Sequence, residues 1–180
     1  MHWRAFLESL VERGMHGIRL VTSDDHAGLR AALRAVLAPT PWQRCQFHLQ
    51  QNAGAYVTRI EDRKPVAEDL RAVFNAPSRE ESERLLQIAA DKWRPTAPKL
   101  ADWMLANLPD GLTVMAETPR VRRRLRTSNC LERLSKEVKR RTRVATLFPN
   151  EASLLRLVTA ILAEVSEEWE TGRIYLQVDD

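Results

Sequence analysis

The chain has 180 residues, of which 44% are apolar and 29% charged, enough to bury one core with a small satellite. Two cysteines exclude a secreted disulfide framework, and no apolar run approaches the ~18 residues that a membrane helix needs. We therefore expect a soluble protein of a reducing cytoplasm, without a membrane partner.

The net charge of +4 is concentrated in one segment of the chain. Residues 120–143 contain eleven Lys or Arg and two acids, whereas the other 156 residues carry 17 basic and 22 acidic side chains. Such a local excess is typical of a surface for nucleic acid or an acidic partner, although a solvated helix face would have the same composition. One of the two acids, Glu132, is surrounded by arginines and is a candidate metal ligand.

The first third of the chain predicts an α/β arrangement. Helical apolar spacing alternates with short β-branched stretches, and glycine or proline marks the ends of the helices. The predicted elements are a helix at 3–13 closed by Gly14, a strand at 17–23, a helix ending at Pro39, a strand at 42–48 and a helix at about 49–60.

The rest of the chain is predicted to be mainly helical. Prolines punctuate residues 63–119, which we interpret as a helical insertion, and Ser78 begins a pattern that resembles a capping box. The fold class is therefore α/β, mostly helical, in three segments: 1–62, 63–119 and 120–180. Within the last two segments we predict a short strand at 111–115, a helix at about 128–142 and a helix at 150–169 that packs seven apolar residues inward.

Asp24 and Glu132 are the candidate metal ligands. Asp24 follows the first predicted strand, at the end where α/β sheets place ligand groups. Two carboxylates brought together could hold divalent metals, which activate a water or a 3′-hydroxyl for phosphodiester cleavage and transfer. The alternative is structural: Asp24 and Asp25 would cap the following helix, and Asn129 would cap a later helix with Glu132 in its first turn. The two roles are compatible.

Two further patterns accompany these carboxylates. Cys45 and His48 have the spacing of metal ligands, but without a second pair nearby we expect a packed cysteine and a hydrogen-bonded histidine. Around Glu132, helical spacing predicts a polar side and an adjacent apolar stripe. The polar side consists of Asn129, Glu132, Lys136, Lys139 and Arg143, and the stripe of Leu131, Leu134 and Val138.

Four stretches of the chain together resemble the Mutator-type transposases of bacterial insertion sequences. The match covers nearly the whole chain in the family's order, and the motifs are specific in combination although each alone would be weak. The first two are Leu20-Val-Thr-Ser-Asp-Asp-His-Ala-Gly-Leu29 and Trp42-Gln-Arg-Cys-Gln-Phe-His-Leu-Gln-Gln-Asn52. The others are Arg126-Thr-Ser-Asn-Cys-Leu-Glu-Arg-Leu-Ser-Lys-Glu-Val-Lys-Arg-Arg141 and Phe148-Pro-Asn-Glu-Ala-Ser-Leu-Leu-Arg-Leu-Val158, which runs on to Glu167-Glu-Trp-Glu-Thr-Gly172.

The resemblance implies a ribonuclease-H-like core that a helical insertion interrupts, with an Asp-Asp-Glu triad for Mg²⁺ or Mn²⁺. Asp24 matches the second Asp of the triad and Glu132 the Glu. Cys45 and His48 match the family's Cys-x-x-His motif, and His48 is expected to contact the scissile phosphate or to neighbour the triad. The implied activity is metal-dependent cleavage and strand transfer of DNA in a bacterial cell.

The resemblance also implies partners. These are the DNA of the element ends and of the target, close to the nucleoid, and further copies of the protein. Asn129, Arg133 and Lys139 match polar positions around the Glu. The expected DNA-binding residues are Arg122, Arg123, Arg124, Arg126, Asn129, Arg133, Lys136, Lys139 and Arg140.

The first Asp of the triad has no counterpart that we can identify. We therefore expect the chain to be the C-terminal portion of a transposase that cannot transpose DNA alone, which complementation of a marked element by this chain would refute. The alternative function is a non-catalytic nucleic-acid-binding remnant in which Asp24 and Glu132 only cap helices.

Overall fold

A computed structural model describes residues 2–144 and 148–171. The chain divides into two compact units, Met1–Thr127 and Ser128–Asp180. The described part is mainly helical and contains one small parallel sheet, as the predicted α/β, mostly helical class requires. Residues 172–180, which close the last predicted segment and include Gly172 of the matched stretch, lie outside the described residues.

The first unit begins with two parallel strands joined by a helix. Val21 lies opposite Trp42, and Ser23 lies opposite Arg44. Because the strands are parallel, their carboxyl ends meet at one edge, which we call the carboxyl edge. In chain order the elements are α1 (Trp3–Glu12), β1 (Val21–Ser23), α2 (Ala27–Val36), β2 (Trp42–Arg44) and α3 (Gln46–Ala53).

Both strands are shorter than predicted. Gly17 has a φ of +68°, a left-handed conformation that a strand does not use, and β1 starts only at Val21. The second strand ends at Arg44, and Cys45 already precedes α3. The predicted helix at 49–60 is also too long, because α3 passes into a 3₁₀ turn at Gly54–Tyr56.

Helices dominate the remainder of the first unit. The predicted cap at Ser78 is confirmed, since its Oγ accepts a hydrogen bond of 3.2 Å from the N–H of Glu81. One apolar core is shared by α3 and the helices that follow it, with Leu49, Leu70 and Met104 fully or almost fully buried. After α3 the first unit contains α4 (Arg63–Phe74), α5 (Arg79–Trp93), α6 (Pro98–Asn107), the 3₁₀ turns Leu108–Gly111 and Thr113–Ala116, and α7 (Pro119–Leu125), of which α7 contributes no residue to this core.

The predicted strand at 111–115 is wrong, because two 3₁₀ turns occupy this segment. The side chain of Gln43 forms hydrogen bonds with this segment that a neighbouring strand would otherwise form. Its Nε2 donates to the carbonyl of Gly111 and its Oε1 accepts from the N–H of Val114, each at 2.8 Å. The Gly111 carbonyl and the Val114 N–H of this buried segment thus have hydrogen-bond partners without a sheet.

A smaller apolar core lies beneath the sheet. It is formed by Leu7 of α1 with Ala32 and Leu33 of α2, and Val21 and Trp42 pack against it. The three-segment division made from the sequence stays a prediction. In the structure α7 belongs to the first compact unit, and the second unit starts at Ser128.

The described residues of the second unit form two packed helices, α8 (Asn129–Val144) and α9 (Glu151–Thr171), which confirms both helix predictions. Their predicted apolar faces are more open than expected. Among the described residues of α9 only Ile161 is buried, while Leu155 is 64% exposed; on α8, Leu131 is 62% exposed. No helix within 2–144 or 148–171 has both the length and the apolar character to cross a membrane.

Candidate functional site

Asp24 lies at the carboxyl edge of the sheet, directly after β1. The N–H of Cys45 donates a hydrogen bond of 2.8 Å to the carbonyl of Ser23, so the start of α3 is bonded to the residue before Asp24. The Asp24 side chain is exposed, and its Oδ1 accepts a hydrogen bond of 2.8 Å from the N–H of Asp25. Asp24 therefore presents a carboxylate at the edge where ligands of α/β sheets bind.

The adjacent Asp25 has a different environment. Its carboxylate lies 3.1 Å from Nη1 of Arg30 and 3.2 Å from Nη1 of Arg44. By contrast, Asp24 forms no ion pair within the described part of the chain. Of the two neighbouring acids, Asp24 is the one whose negative charge remains available for a cation.

Neither Asp24 nor Asp25 caps α2, so this structural alternative is wrong. The N-cap is His26, whose Nδ1 accepts a hydrogen bond of 3.2 Å from the N–H of Leu29. Instead, the Asp24 carboxylate accepts a hydrogen bond from the Asp25 N–H, and the Asp25 carboxylate pairs with Arg30 and Arg44.

Arg44 is a residue of the site that the sequence interpretation missed. Its side chain is only 7% exposed, and Nη1 donates to Oδ1 of Asn107 at 2.9 Å as well as contacting Asp25. Oδ2 of Asp110 lies 4.0 Å from the same nitrogen. The sequence contained one sign of this role. Arg44 lies within a predicted strand, where its side chain would be buried, and a buried charge requires a partner.

Cys45 is the N-cap of α3 and His48 lies in the first turn of this helix, beside the carboxyl edge. Cys45 is fully buried, and His48 is half-buried with its ring 5.6 Å from that of Phe47. Within the described ranges no three His, Cys, Asp or Glu residues are grouped so as to hold a metal ion. The expected packing of Cys45 is confirmed by its burial, and that His48 neighbours the metal ligands stays a prediction.

The C-terminal end of α7 is hydrogen-bonded to β1 and to the start of α3. The hydroxyl of Thr22 donates to the carbonyl of Leu125 at 2.6 Å, and the N–H of Gln46 donates to the carbonyl of Arg126 at 3.0 Å. The arginines of α7 thus lie on a helix that β1 and α3 hold in place.

These arginines fall into two groups. Arg122 donates to the carbonyls of Glu117 at 2.6 Å and Pro77 at 2.9 Å, and Arg126 donates to Oδ1 of Asn75 at 2.7 Å. Arg123 and Arg124 are exposed. Arg122 and Arg126 therefore contribute to the structure of the first unit, in addition to any contact with a ligand.

Glu132 lies in the first turn of α8. Its N–H donates to the carbonyl of Ser128 at 3.1 Å, and its Oε1 lies 3.1 Å from the Ser128 hydroxyl. Because the Ser128 carbonyl accepts the first bond of the helix, Ser128 occupies the N-cap position and Asn129 is the first helical residue. The prediction that Asn129 caps this helix is wrong.

The predicted DNA-binding residues of α8 are all exposed, but their charges are not equally available. Glu137 lies 2.7 Å from Arg140 and 2.7 Å from Arg141. The hydrogen bonds from Arg140 and then Arg141 lower the pKa of Glu137 to about 2. Arg140 is thus already paired. The exposed residues of the predicted set are Asn129, Arg133, Lys136, Lys139 and Arg140.

Asp24 belongs to the first compact unit and Glu132 to the second. That their carboxylates share a metal site stays a prediction. The structure does place Asp24, Cys45, His48 and the end of α7 around one edge of one sheet.

Comparison with known proteins gives the family. The family described as "Transposase, Mutator family" matches residues 1–172. The chain belongs to the Mutator family of transposases. It is 58% identical over 176 residues to the transposase for insertion sequence element IS406 of Burkholderia multivorans. The aligned region covers 98% of this chain and 45% of that relative.

More distant transposases match over the same extent. The transposase for IS1081 of Mycobacterium tuberculosis is 39% identical over 98% of this chain and 42% of its own length. The transposase for IS256 in transposon Tn4001 of Staphylococcus aureus is 34% identical over 98% of this chain and 46% of its own length. The chain spans less than half the length of these relatives.

Proposed function

We propose that the chain contributes Asp24 and Glu132 to the metal site of a DNA transposase with a ribonuclease-H-like core. One observation carries the proposal: Asp24 stands at the carboxyl edge without an ion pair in the described ranges, while Arg30 and Arg44 neutralise the adjacent Asp25. The family membership of residues 1–172 supports the reaction class.

The donor set suits Mg²⁺ or Mn²⁺, because hard divalent cations prefer carboxylate oxygens. When bound, such cations supply an activated water or 3′-hydroxyl and stabilise the leaving oxygen of the phosphodiester. Asp24 and Glu132 hold the cations in this proposal, and His48 contacts or orients the scissile phosphate. Arg44 is a positioning residue, since its contact with Asp25 restrains the backbone that carries Asp24.

The DNA backbone is held by basic side chains of both units. Arg123 and Arg124 of α7 and the exposed Arg133, Lys136 and Lys139 of α8 provide this charge. The substrates are the element ends and the target DNA, and several copies of the protein assemble on them.

Divalent-cation binding tests the site directly. Calorimetric titration with Mn²⁺ should detect binding to the wild type, and Asp24→Asn or Glu132→Gln should abolish it. Two matched controls should bind like the wild type: Asp91→Asn, an exposed aspartate of α5, and Glu151→Gln, which lies in the first turn of α9 as Glu132 lies in that of α8. Unchanged binding in both site variants would refute the metal site.

The alternative is a nucleic-acid-binding module without catalysis. It predicts DNA affinity that survives Asp24→Asn and Glu132→Gln, together with no cation binding that depends on these residues. Both functions predict salt-dependent DNA binding, so the cation titration distinguishes them.

A further inference from the structure

A pocket of about 340 Å³ in the first unit lies between the end of α4 and α7. Its lining includes three arginines, two within α7 and one that is the C-cap of this helix, and the remaining lining is largely apolar. Gln46, the first residue of α3, also lines it, so the pocket adjoins the carboxyl edge. We call it the arginine pocket; it is lined by Arg122, Arg123 and Arg126 together with Phe74, Val114 and Met115.

Among the described residues, no carboxylate forms an ion pair with Arg122, Arg123 or Arg126, the three arginines of the pocket. Arg122 is bonded to two main-chain carbonyls, and Arg126 to the amide oxygen of Asn75. No acidic residue belongs to the pocket's described lining. Elsewhere in the described chain six arginines each have a carboxylate oxygen at 2.6 to 2.9 Å, namely Arg4, Arg79, Arg84, Arg94, Arg140 and Arg141.

The neutral partners orient the guanidinium groups without removing their charge. Arg122 is fixed by two carbonyls and Arg126 by one amide, so less side-chain entropy remains to be lost when a ligand binds. The apolar lining from Phe74, Val114 and Met115 strengthens the electrostatic attraction for an anion. Planar guanidinium groups match the geometry of phosphate oxygens.

We propose that the arginine pocket binds one backbone phosphate of DNA next to the metal site. This deepens the proposed function and rests on it for the identity of the polyanion. Arg123 and Arg126 contact the phosphate, whereas Arg122 is a positioning residue that fastens α7 to the loop after α4. Because the Leu125 carbonyl is bonded to Thr22 of β1 and the Arg126 carbonyl to the start of α3, the phosphate lies beside the strand that leads to Asp24.

The salt dependence of duplex binding tests the proposal. Fluorescence anisotropy of a labelled duplex, titrated with the full chain at several KCl concentrations, gives the slope of log affinity against log salt. Arg123→Ala and Arg126→Ala should each reduce the magnitude of this slope by about 1 and weaken binding on the order of tenfold. Arg123→Lys should keep the wild-type slope.

Arg94→Ala is the matched control. Arg94 is an exposed arginine of the same unit, but its guanidinium lies 2.9 Å from the carboxylate of Asp102. The variant changes the net charge as Arg123→Ala does and should keep the wild-type slope. Because Arg123 is exposed, its substitution should also leave the melting temperature unchanged, which separates a lost contact from a damaged fold.

The outcomes separate the pocket from the proposed function. If the pocket variants bind the duplex like Arg94→Ala, the arginine pocket is refuted, while salt-dependent binding by the wild type upholds DNA as substrate. If the wild type does not bind the duplex even at low salt, the proposed function fails together with the pocket. If inorganic phosphate binds the wild type but not Arg123→Ala and the duplex does not compete, the pocket serves free phosphate and the DNA assignment is overturned.

Discussion

The side-chain hydroxyl of Thr22 donates a hydrogen bond of 2.6 Å to the main-chain carbonyl of Leu125, 103 residues later in the chain. The middle of β1 is thereby joined to the last residue of α7. Together with the bond from Gln46 to Arg126, this contact brings the basic helix to the edge that carries Asp24.

Replacing Thr22 by Val should lower the free energy of unfolding. The substitution keeps the side-chain shape but leaves the partly buried Leu125 carbonyl without its donor, at a cost of about 1–2 kcal/mol. Urea denaturation measures the difference. Thr58→Val, at an exposed threonine, should change stability by much less, and equal effects would show that the hydrogen bond contributes nothing.

Arg44→Met should be destabilising. The variant removes the buried guanidinium that contacts Asp25 and Asn107, while Asp25 is partly exposed and keeps its contact with Arg30, so the expected cost is about 1–3 kcal/mol. The double variant Arg44→Met with Asp25→Asn should recover part of this loss, because Asp25 no longer carries a charge that has lost one of its two partners. A double-mutant cycle in urea checks the coupling, and additive effects would contradict it.

Gly111→Ala should destabilise the larger core. A Cβ at residue 111 would lie 2.6 Å from Cδ1 of Leu49 and 3.1 Å from Cε1 of Phe74, and overpacking of this kind costs about 1–3 kcal/mol. Gly54→Ala is the control, since nothing lies within 4 Å of its Cβ and its φ of −57° is helical. Thermal melts should show a lower Tm for Gly111→Ala and an equal or higher Tm for Gly54→Ala.

The ion pairs of Glu137 should make the stability of the second unit depend on pH. Hydrogen bonds from Arg140 and then Arg141 lower the pKa of Glu137 from an ordinary value of 4.5 to about 2. A carboxyl group whose pKa is lower in the folded state stabilises the fold above about pH 4.5, and this stabilisation is lost as the pH falls through about 2.

Two measurements check this pH dependence. The side-chain carbon of Glu137, followed by NMR, should titrate near pH 2, and this shift should shrink at high salt because the pairs are exposed. Unfolding experiments at pH 6 and pH 2.5 should show a smaller loss of stability for Glu137→Gln than for the wild type. An identical loss in both proteins would assign the acid sensitivity to other groups.

Sequence patterns predicted both strands, although at too great a length, and the helices at 3–13, 128–142 and 150–169. The helices within 63–119 were predicted only as a helical segment, without individual bounds. Residues 111–115 have strand-like composition, yet their backbone bonds to the Gln43 side chain, a tertiary contact that no local pattern reveals. The prediction of buried positions on α9 was also too generous, since periodicity identifies a face but not what covers it.

Similar limits apply to the candidate site. The motif around Asp24 predicted its place after a strand, but capping statistics favoured the two aspartates over His26, the residue that caps α2. Counting charges located the basic segment without distinguishing Arg122, bonded to carbonyls, from Arg123, which is exposed. That distinction depends on residues more than forty positions away, such as Pro77.

The two bonds that Thr22 and Gln46 donate to the end of α7 are accepted by the main-chain carbonyls of Leu125 and Arg126. Every amino acid supplies such a carbonyl, so the exposed positions 123 and 124 can change without loss of these bonds. A substitution at position 123 or 124 therefore changes the charge of this surface while the helix keeps its attachment to the sheet.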